Sequence, residues 1–241
     1  AVFDADFLPY YVVHNKKDNE YKKTLEDCII LCDEFIANVN RLVKADYYIG
    51  YLTVGKCFRY KVNPSYKANR KYENQPDYLQ EVKQHLIDKH GFTWDEEYEA
   101  DDLVVSFKAQ NKQYECIIIS PDKDILNSVD VCYNPRKNEF KYNSEEEIIE
   151  YFWKSMIIGD TIDGLKGIPG KGKVFADTIH SMFDLNDTFY PISTIVLREY
   201  IKHFGEYNGI NEYYKQYFSL KLVDNVLLKD IKLNKVEQIS L

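Results

Sequence analysis

Apolar positions change their spacing several times along the chain, and each change marks a different kind of element. The opening AVFDADF is a short apolar run closed by acids, the pattern of a buried strand. From Tyr21 to Ala45 the residues Leu25, Ile29, Cys32, Ile36 and Val39 recur every three or four positions, which predicts a helix with one buried face. Tyr47 to Val54 (YYIGYLTV) is β-rich. The following KCFRYKVNPSYKANRKYENQP has loop composition and gives way to a helix from about Asp77 to Lys89. Glu99 to Asn111 (EADDLVVSFKAQN) is predicted as a helix that starts in acids, Glu115 to Ser120 as a buried strand, and Val129 to Tyr133 as a further β-rich piece before the turn at Asn134 and Pro135. This alternation predicts an α/β fold with a mainly parallel central sheet flanked by helices. From Ser144 onward the spacing is helical. Ser144 and Glu147 offer a capping box for a helix through Ile158, and further helices are expected at Lys171 to Met182, Ser193 to Phe204 and about Ile210 to Leu220. The expected division is a sheet domain over 1–143 and a helical module over 144–241.

Charge changes this picture more than composition does. A net charge of -8 over 241 residues speaks against an indiscriminate nucleic-acid binder, because phosphate binding relies on Lys and Arg. The charges are segregated, however: between Tyr47 and Tyr72 stand Lys56, Arg59, Lys61, Lys67, Arg70 and Lys71 with no acid. No run of eighteen apolar residues occurs, and AVFDADFLPYYVVH lacks a basic flank and a small-residue cleavage site, so neither membrane insertion nor export is expected and the reading is cytoplasmic. Cys28, Cys32, Cys57, Cys116 and Cys132 are odd in number and lack histidines at zinc-ligand spacing, which favours reduced thiols.

The acids fall at chemically telling places. Asp4 and Asp6 close the first strand, and Asp122 and Asp124 in SPDKD follow ECIIIS. Glu99, Asp101 and Asp102 open a helix, while Asp160 and Asp163 lie in GDTID. In a parallel sheet, residues just past the strand ends meet at the C-terminal edge, so the first two groups should converge. Any one group alone is ordinarily a turn former or a helix start favoured by its dipole. Several together oppose folding unless cations offset them, and oxygen donors favour Mg²⁺ or Mn²⁺.

Taken in order, VFDAD, FRYKVNPSYKANR, EADD, SPDKD and GDTIDGLKGIPGKG resemble the 5′ nuclease superfamily of flap endonucleases and 5′-3′ exonucleases, including the bacteriophage enzymes, over roughly residues 2–180. The resemblance implies a nuclease core with a basic helical arch at about 57–89 and a C-terminal helix-hairpin-helix module. It implies metal ligands or supporting carboxylates at Asp4, Glu99, Asp101, Asp102, Asp122, Asp124, Asp160 and Asp163, holding two divalent cations about 4 Å apart. Lys67 and Arg70, with Arg59 beside them, resemble the arch residues that grip the scissile phosphate. Tyr66 and Phe58 are candidate base-stacking rings, with buried aromatic packing an equal alternative for Phe58. GLKGIPGKGK resembles the hairpin, where Gly167, Gly170 and Gly172 admit a phosphate close to the backbone and Lys171 and Lys173 add charge, with a K⁺ ion as a further expected ligand. Lys56 and Lys71 complete the expected DNA contacts.

The family usually carries one more aspartate before FR, and GYLTVGKCFR has none. Two readings follow. In one, the chain cuts DNA with the remaining carboxylates, at 5′ ends, flaps or junctions and on RNA:DNA hybrids, as a monomer of the phage type acting in replication, primer removal or recombination in a host cytoplasm. In the other it is a weakened or inactive relative that binds DNA structures. A small PIN-like ribonuclease would lack the GLKGIPGKGK hairpin and the helical half.

Overall fold

The computed structural model describes residues 1–14, 22–69, 75–181, 189–229 and 231–236. In chain order it begins with β1 (Val2–Asp4), α1 (Phe7–Val13), α2 (Leu25–Leu42), β2 (Tyr47–Tyr51), α3 (Arg59–Val62), α4 (Leu79–His90) and α5 (Ala100–Gln110). It continues with β3 (Ile118–Ile119), α6 (Lys123–Leu126), β4 (Val131–Asn134), β5 (Glu139–Tyr142) and α7 (Glu145–Ile158). The last elements are α8 (Lys173–Ser181), α9 (Phe189–Phe204), α10 (Glu206–Leu220) and β6 (Asn234–Lys235). Among the described residues no helix is long and apolar enough to cross a membrane.

The elements group into two compact units. One comprises Ala1–Gly55, Tyr72–Tyr142 and Val223–Leu241, and the other Lys56–Lys71 and Asn143–Leu222. One division between them falls between Tyr142 and Asn143. Two segments lie on the other side of it: the basic stretch from Lys56 belongs with the helical unit, and the tail from Val223 belongs with the sheet.

The sheet runs β5-β4-β3-β1-β2-β6. β1 pairs in parallel with β2 and β3, and β3 with β4, while β5 and β6 are antiparallel edges. Phe3, Ile49, Ile118 and Ile119 are all buried, as befits strands covered on both faces. Gly50 in β2 has a packing cause: an added Cβ would lie 2.4 Å from the Phe92 ring. α2 starts at Leu25, later than its periodicity suggested, because Thr24 caps it. Thr24 Oγ1 accepts from the Asp27 amide at 3.2 Å, and Asp27 Oδ2 accepts from the Thr24 amide at 2.7 Å. Its buried face is Cys28, Cys32, Ile36 and Val39. All five cysteines are free and buried. The tail is pinned to α5 by side chains: Ser106 Oγ donates to Val223 O at 2.7 Å and accepts from Val226 N at 3.0 Å, and Gln110 Nε2 donates to Val226 O at 2.8 Å.

The helical unit packs α7 to α10 around Trp153, Met156, Ile157, Ile179, Val196, Tyr200 and Tyr213. Gly209 lets α10 approach α9, since a Cβ there would lie 2.5 Å from Ile201 Cα. Arg59 is 1% exposed. Its Nε donates to Ser219 O at 3.2 Å and its Nη2 to Lys221 O at 3.0 Å. It therefore ties the basic segment to the end of α10, where helix carbonyls lack intrahelical partners. Arg59→Ala strands those carbonyls and opens a void, so we expect a loss on the order of 3 kcal/mol in urea unfolding. Arg59→Lys should recover little of it, because an ammonium lacks the fork that spans both oxygens.

Candidate active site

Parallel pairing brings the ends of β1, β2 and β3 to one edge, with Asp4 opposite Tyr51 and Phe3 opposite Ile119. Asp4 is 6% exposed there. Ser120, the residue after β3, donates its hydroxyl to Asp4 Oδ2 at 2.7 Å and accepts from the Asp122 amide at 3.0 Å. Asp122 caps α6 by accepting from the Asp124 amide at 2.7 Å, which turns the SPDKD loop back toward the edge. Asp4, Asp122 and Asp124 are thus joined through Ser120, a residue that carries no charge and was not singled out in the sequence.

Burial, then the neighbouring charge of Asp6 and that of Asp122, push the Asp4 carboxyl up to about 7 against the opposing hydrogen bond from Ser120. Asp6 is raised too, chiefly by burial and further by Glu99, while bonds from Thr53 oppose the rise. Thr53 stands in the stretch where the resemblance leads one to look for an aspartate. Its amide donates to Asp6 Oδ1 at 2.7 Å, and its Oγ1 accepts from the Ala100 amide at 2.9 Å. A neutral hydroxyl therefore fastens the start of α5, and with it Glu99 and Asp101, to the strand edge. Asp46 precedes β2 and so sits at the other end of that strand.

The α5 acids divide by their contacts. Asp101 Oδ1 accepts from the Asp102 amide at 2.7 Å. Asp102 is fully buried, with Oδ1 accepting from Val223 N at 2.8 Å and Oδ2 from Glu99 N at 3.3 Å. These bonds make it a pin between the helix start and the tail.

In the helical unit, Asp160 and Leu165 exchange backbone hydrogen bonds of 2.8 and 2.7 Å, and Ile168 N donates to Ile157 O at 2.8 Å. This tight turn places Asp160, 5% exposed, at its start, where Oδ1 accepts from Ile162 N at 2.8 Å. Asp163 is half-buried in the same turn. The basic segment is stitched onto it: Lys67 N donates to Asp163 O at 2.8 Å, and Asn69 Nδ2 donates to Thr161 O at 2.9 Å. Lys67 adopts a left-handed backbone (φ 52°) and holds its ammonium 4.7 Å from the Tyr66 ring centroid. Tyr66 packs with Cys57 and Leu165 at 2% exposure, which corrects its reading as a base-stacking platform: the ring is core. Phe58 is half-buried under the Arg59 guanidinium at 4.9 Å. Arg70 and Lys71 lie outside the described residues. Lys56, Gly170, Gly172 and Lys173 are exposed, Lys171 is half-buried with its ammonium 4.1 Å from the Phe175 centroid, and Gly167 is buried.

An α/β sheet that gathers carboxylates past its parallel strand ends defines an enzyme architecture suited to hard cations and phosphates. The chain belongs to the 5′-3′ exonuclease family: the model of its N-terminal resolvase-like domain matches residues 7–152, and the members of this family are 5′ nucleases. The chain is 30% identical to DNA polymerase I of Borreliella burgdorferi over 76% of its own length and 21% of the polymerase, so it spans about a fifth of that relative. Its fold is similar to that of the bacteriophage T5 D15 flap endonuclease in a product complex with DNA and metal ions, with 17% identity, a TM-score of 0.60 and coverage of 92% and 88% of the two chains. It is also similar to the catalytic core of Rad2 in complex with DNA substrate, with 16% identity, a TM-score of 0.51 and coverage of 95% and 73%.

Proposed function

We propose that the chain hydrolyses phosphodiester bonds of DNA near 5′ ends, as an exonuclease or flap endonuclease dependent on Mg²⁺ or Mn²⁺. The observation that carries this reading is the buried Asp4 carboxyl, bonded to Ser120 and flanked by Asp6 and Asp122: a cluster of oxygen donors that folds at a cost unless dications relieve it. We assign a metal-ligand role to Asp4, Asp122, Asp124, Glu99 and Asp101, and a role of the same kind to Asp160 and Asp163. Asp102, Ser120 and Thr53 position them. Bound dications supply charge stabilisation and a nucleophile at neutral pH. Lys67, braced by its bond to the Asp163 carbonyl, contacts the scissile phosphate together with Arg70, while Arg59 acts from beneath by fixing the segment. The 159–172 loop serves as the helix-hairpin-helix contact to the duplex backbone, with K⁺ as its ion and Lys56, Lys71, Lys171 and Lys173 adding charge. The substrates are flaps, junctions and 5′-ended duplexes, RNA:DNA hybrids included, and the chain acts as a monomer of the phage type in the host cytoplasm.

The second reading, a DNA-binding relative with weak or no cleavage, is favoured by Thr53 in place of an acid. Cleavage of a 5′-labelled flap and a blunt duplex with Mg²⁺, with Mn²⁺ and with chelator separates the two. We expect metal-stimulated cleavage that Asp122→Ala lowers by at least about 100-fold with duplex affinity retained. Binding without metal-stimulated cleavage would establish the second reading instead.

A further inference from the structure

The first unit carries another set of metal-donor side chains, on helices and not at strand ends. Asp33 of α2 faces α4. Its Oδ1 lies 2.7 Å from His85 Nε2 and 2.8 Å from His90 Nε2, so two imidazoles aim the same kind of nitrogen at one oxygen. Asp33 Oδ2 accepts from Lys89 Nζ at 2.7 Å. His90 Nδ1 lies 2.9 Å from the hydroxyl of Tyr48, near the start of β2 and so toward the end of the strand opposite the acid edge. The backbone supports the arrangement: Asn234 Nδ2 of β6 donates to His90 O at 2.6 Å, and α4 ends at Gly91 in a left-handed turn.

We propose that Asp33, His85 and His90 form a structural site for one borderline transition-metal ion, with Zn²⁺ as its representative, which rivets α4 to α2. One ligand atom from each of the three lies within 4.8 Å of the others. A tetrahedral ion with bonds of about 2.0 Å needs its ligand atoms about 3.3 Å apart. The N–O pairs must therefore open by only about half an ångström, a change that side-chain rotation supplies. Two imidazoles and one carboxylate select Zn²⁺ and its neighbours over Mg²⁺, which wants an all-oxygen octahedron. The outer contacts suit this use. Lys89 neutralises the oxygen turned away from the ion, and Tyr48 fixes the ring of His90. The proton balance closes: an imidazole that donates Nε2–H to Asp33 without metal carries that proton on Nδ1 with metal, and for His90 Nδ1–H then donates to the Tyr48 oxygen. No electron changes hands. The fourth ligand is water, admitted by the partial exposure of His85 and Asp33.

The test uses the full chain with Mg²⁺ in large excess, so that hard oxygen sites are occupied before Zn²⁺ is added. We expect the wild-type chain to retain one zinc per chain on dialysis and to melt at a higher temperature with it. The imidazole ¹⁵N resonances of His85 and His90 should move on zinc addition. His85→Gln and Asp33→Asn should each bind one zinc fewer, their affinity falling by more than the roughly 10 to 100-fold that loss of an outer partner costs. Unmoved resonances in the wild type overturn the site whatever the variants do, and so does unchanged zinc stoichiometry in a folded variant.

Discussion

Asp4→Asn should sharply lower the proposed DNA cleavage and yet give a protein that is harder to unfold without metal than its parent. The carboxyl of Asp4 rests at about 7 in the folded chain against an ordinary 3.8. Between those values the folded state holds a proton that the unfolded state has released. Stability from this group is therefore complete below about pH 4, falls as pH rises, and is lost above pH 7. A displacement of about three pH units corresponds to a penalty on the order of 4 kcal/mol at alkaline pH. Asparagine removes that penalty and keeps an oxygen for the Ser120 hydroxyl. In chelator at pH 8 the variant should thus exceed the parent in urea midpoint, and at pH 4 the two should converge. Mg²⁺ should raise the parent's midpoint at pH 8 far more than the variant's, because the ion compensates the ionised cluster only where it exists. Cleavage should fall by about 1,000-fold or more, as befits a group at the centre of the charge-compensating set. Parallel pH profiles for parent and variant would mean that Asp4 is not the strained carboxyl, and the argument for dications would lose its strongest support.

That cluster was legible in the sequence to the extent that it depends on strand ends. A parallel sheet brings its C-terminal ends together whatever the loops do, so Asp4 and Asp122 could be paired from VFDAD and SPDKD alone. What could not be read was the work of uncharged residues between the acids. Ser120 and Thr53 matter because register sets them opposite Asp4 and beside Asp6, and register has no local signature in strands of two to five residues. The same limit explains α1: seven residues beginning at Phe7 hold too little periodicity to separate a helix from the apolar run before them. Charge also misled where burial reversed its meaning. Arg59 and Tyr66 lie in a basic, loop-like stretch, yet both are core, since a guanidinium can be buried wherever helix-end carbonyls await donors. The tail from Val223 carries no strong pattern because Ser106, Gln110 and Asp102 of α5 hold its backbone, with Val226 buried beside them.

The two glycines of the 159–172 turn that differ most in surroundings should part company on substitution. Gly167 (φ +60°) is buried, and a Cβ there would lie 2.4 Å from Ile157 O and 2.5 Å from Gly159 N, both backbone atoms. Gly170 (φ +76°) has nothing within 4 Å of an added Cβ. Both variants pay for a left-handed backbone, about 1 kcal/mol for alanine. Only Gly167→Ala must also break the bond from Ile168 N to Ile157 O that closes the turn onto α7. We expect it to lose on the order of 4 kcal/mol, with the loss read in the fluorescence of Trp153, which is buried in the same core. Gly170→Ala should keep that core signal and most of its stability. If the turn approaches a phosphate through its backbone as proposed, the added methyl group of Gly170→Ala stands where the ligand would come closest, and duplex affinity should fall several-fold at nearly unchanged stability. A stable Gly170→Ala that binds duplex as the parent does would remove the turn from the DNA contact. A Gly167→Ala no less stable than Gly170→Ala would show that the backbone crossing at Ile157 yields more readily than its 2.4 Å approach implies.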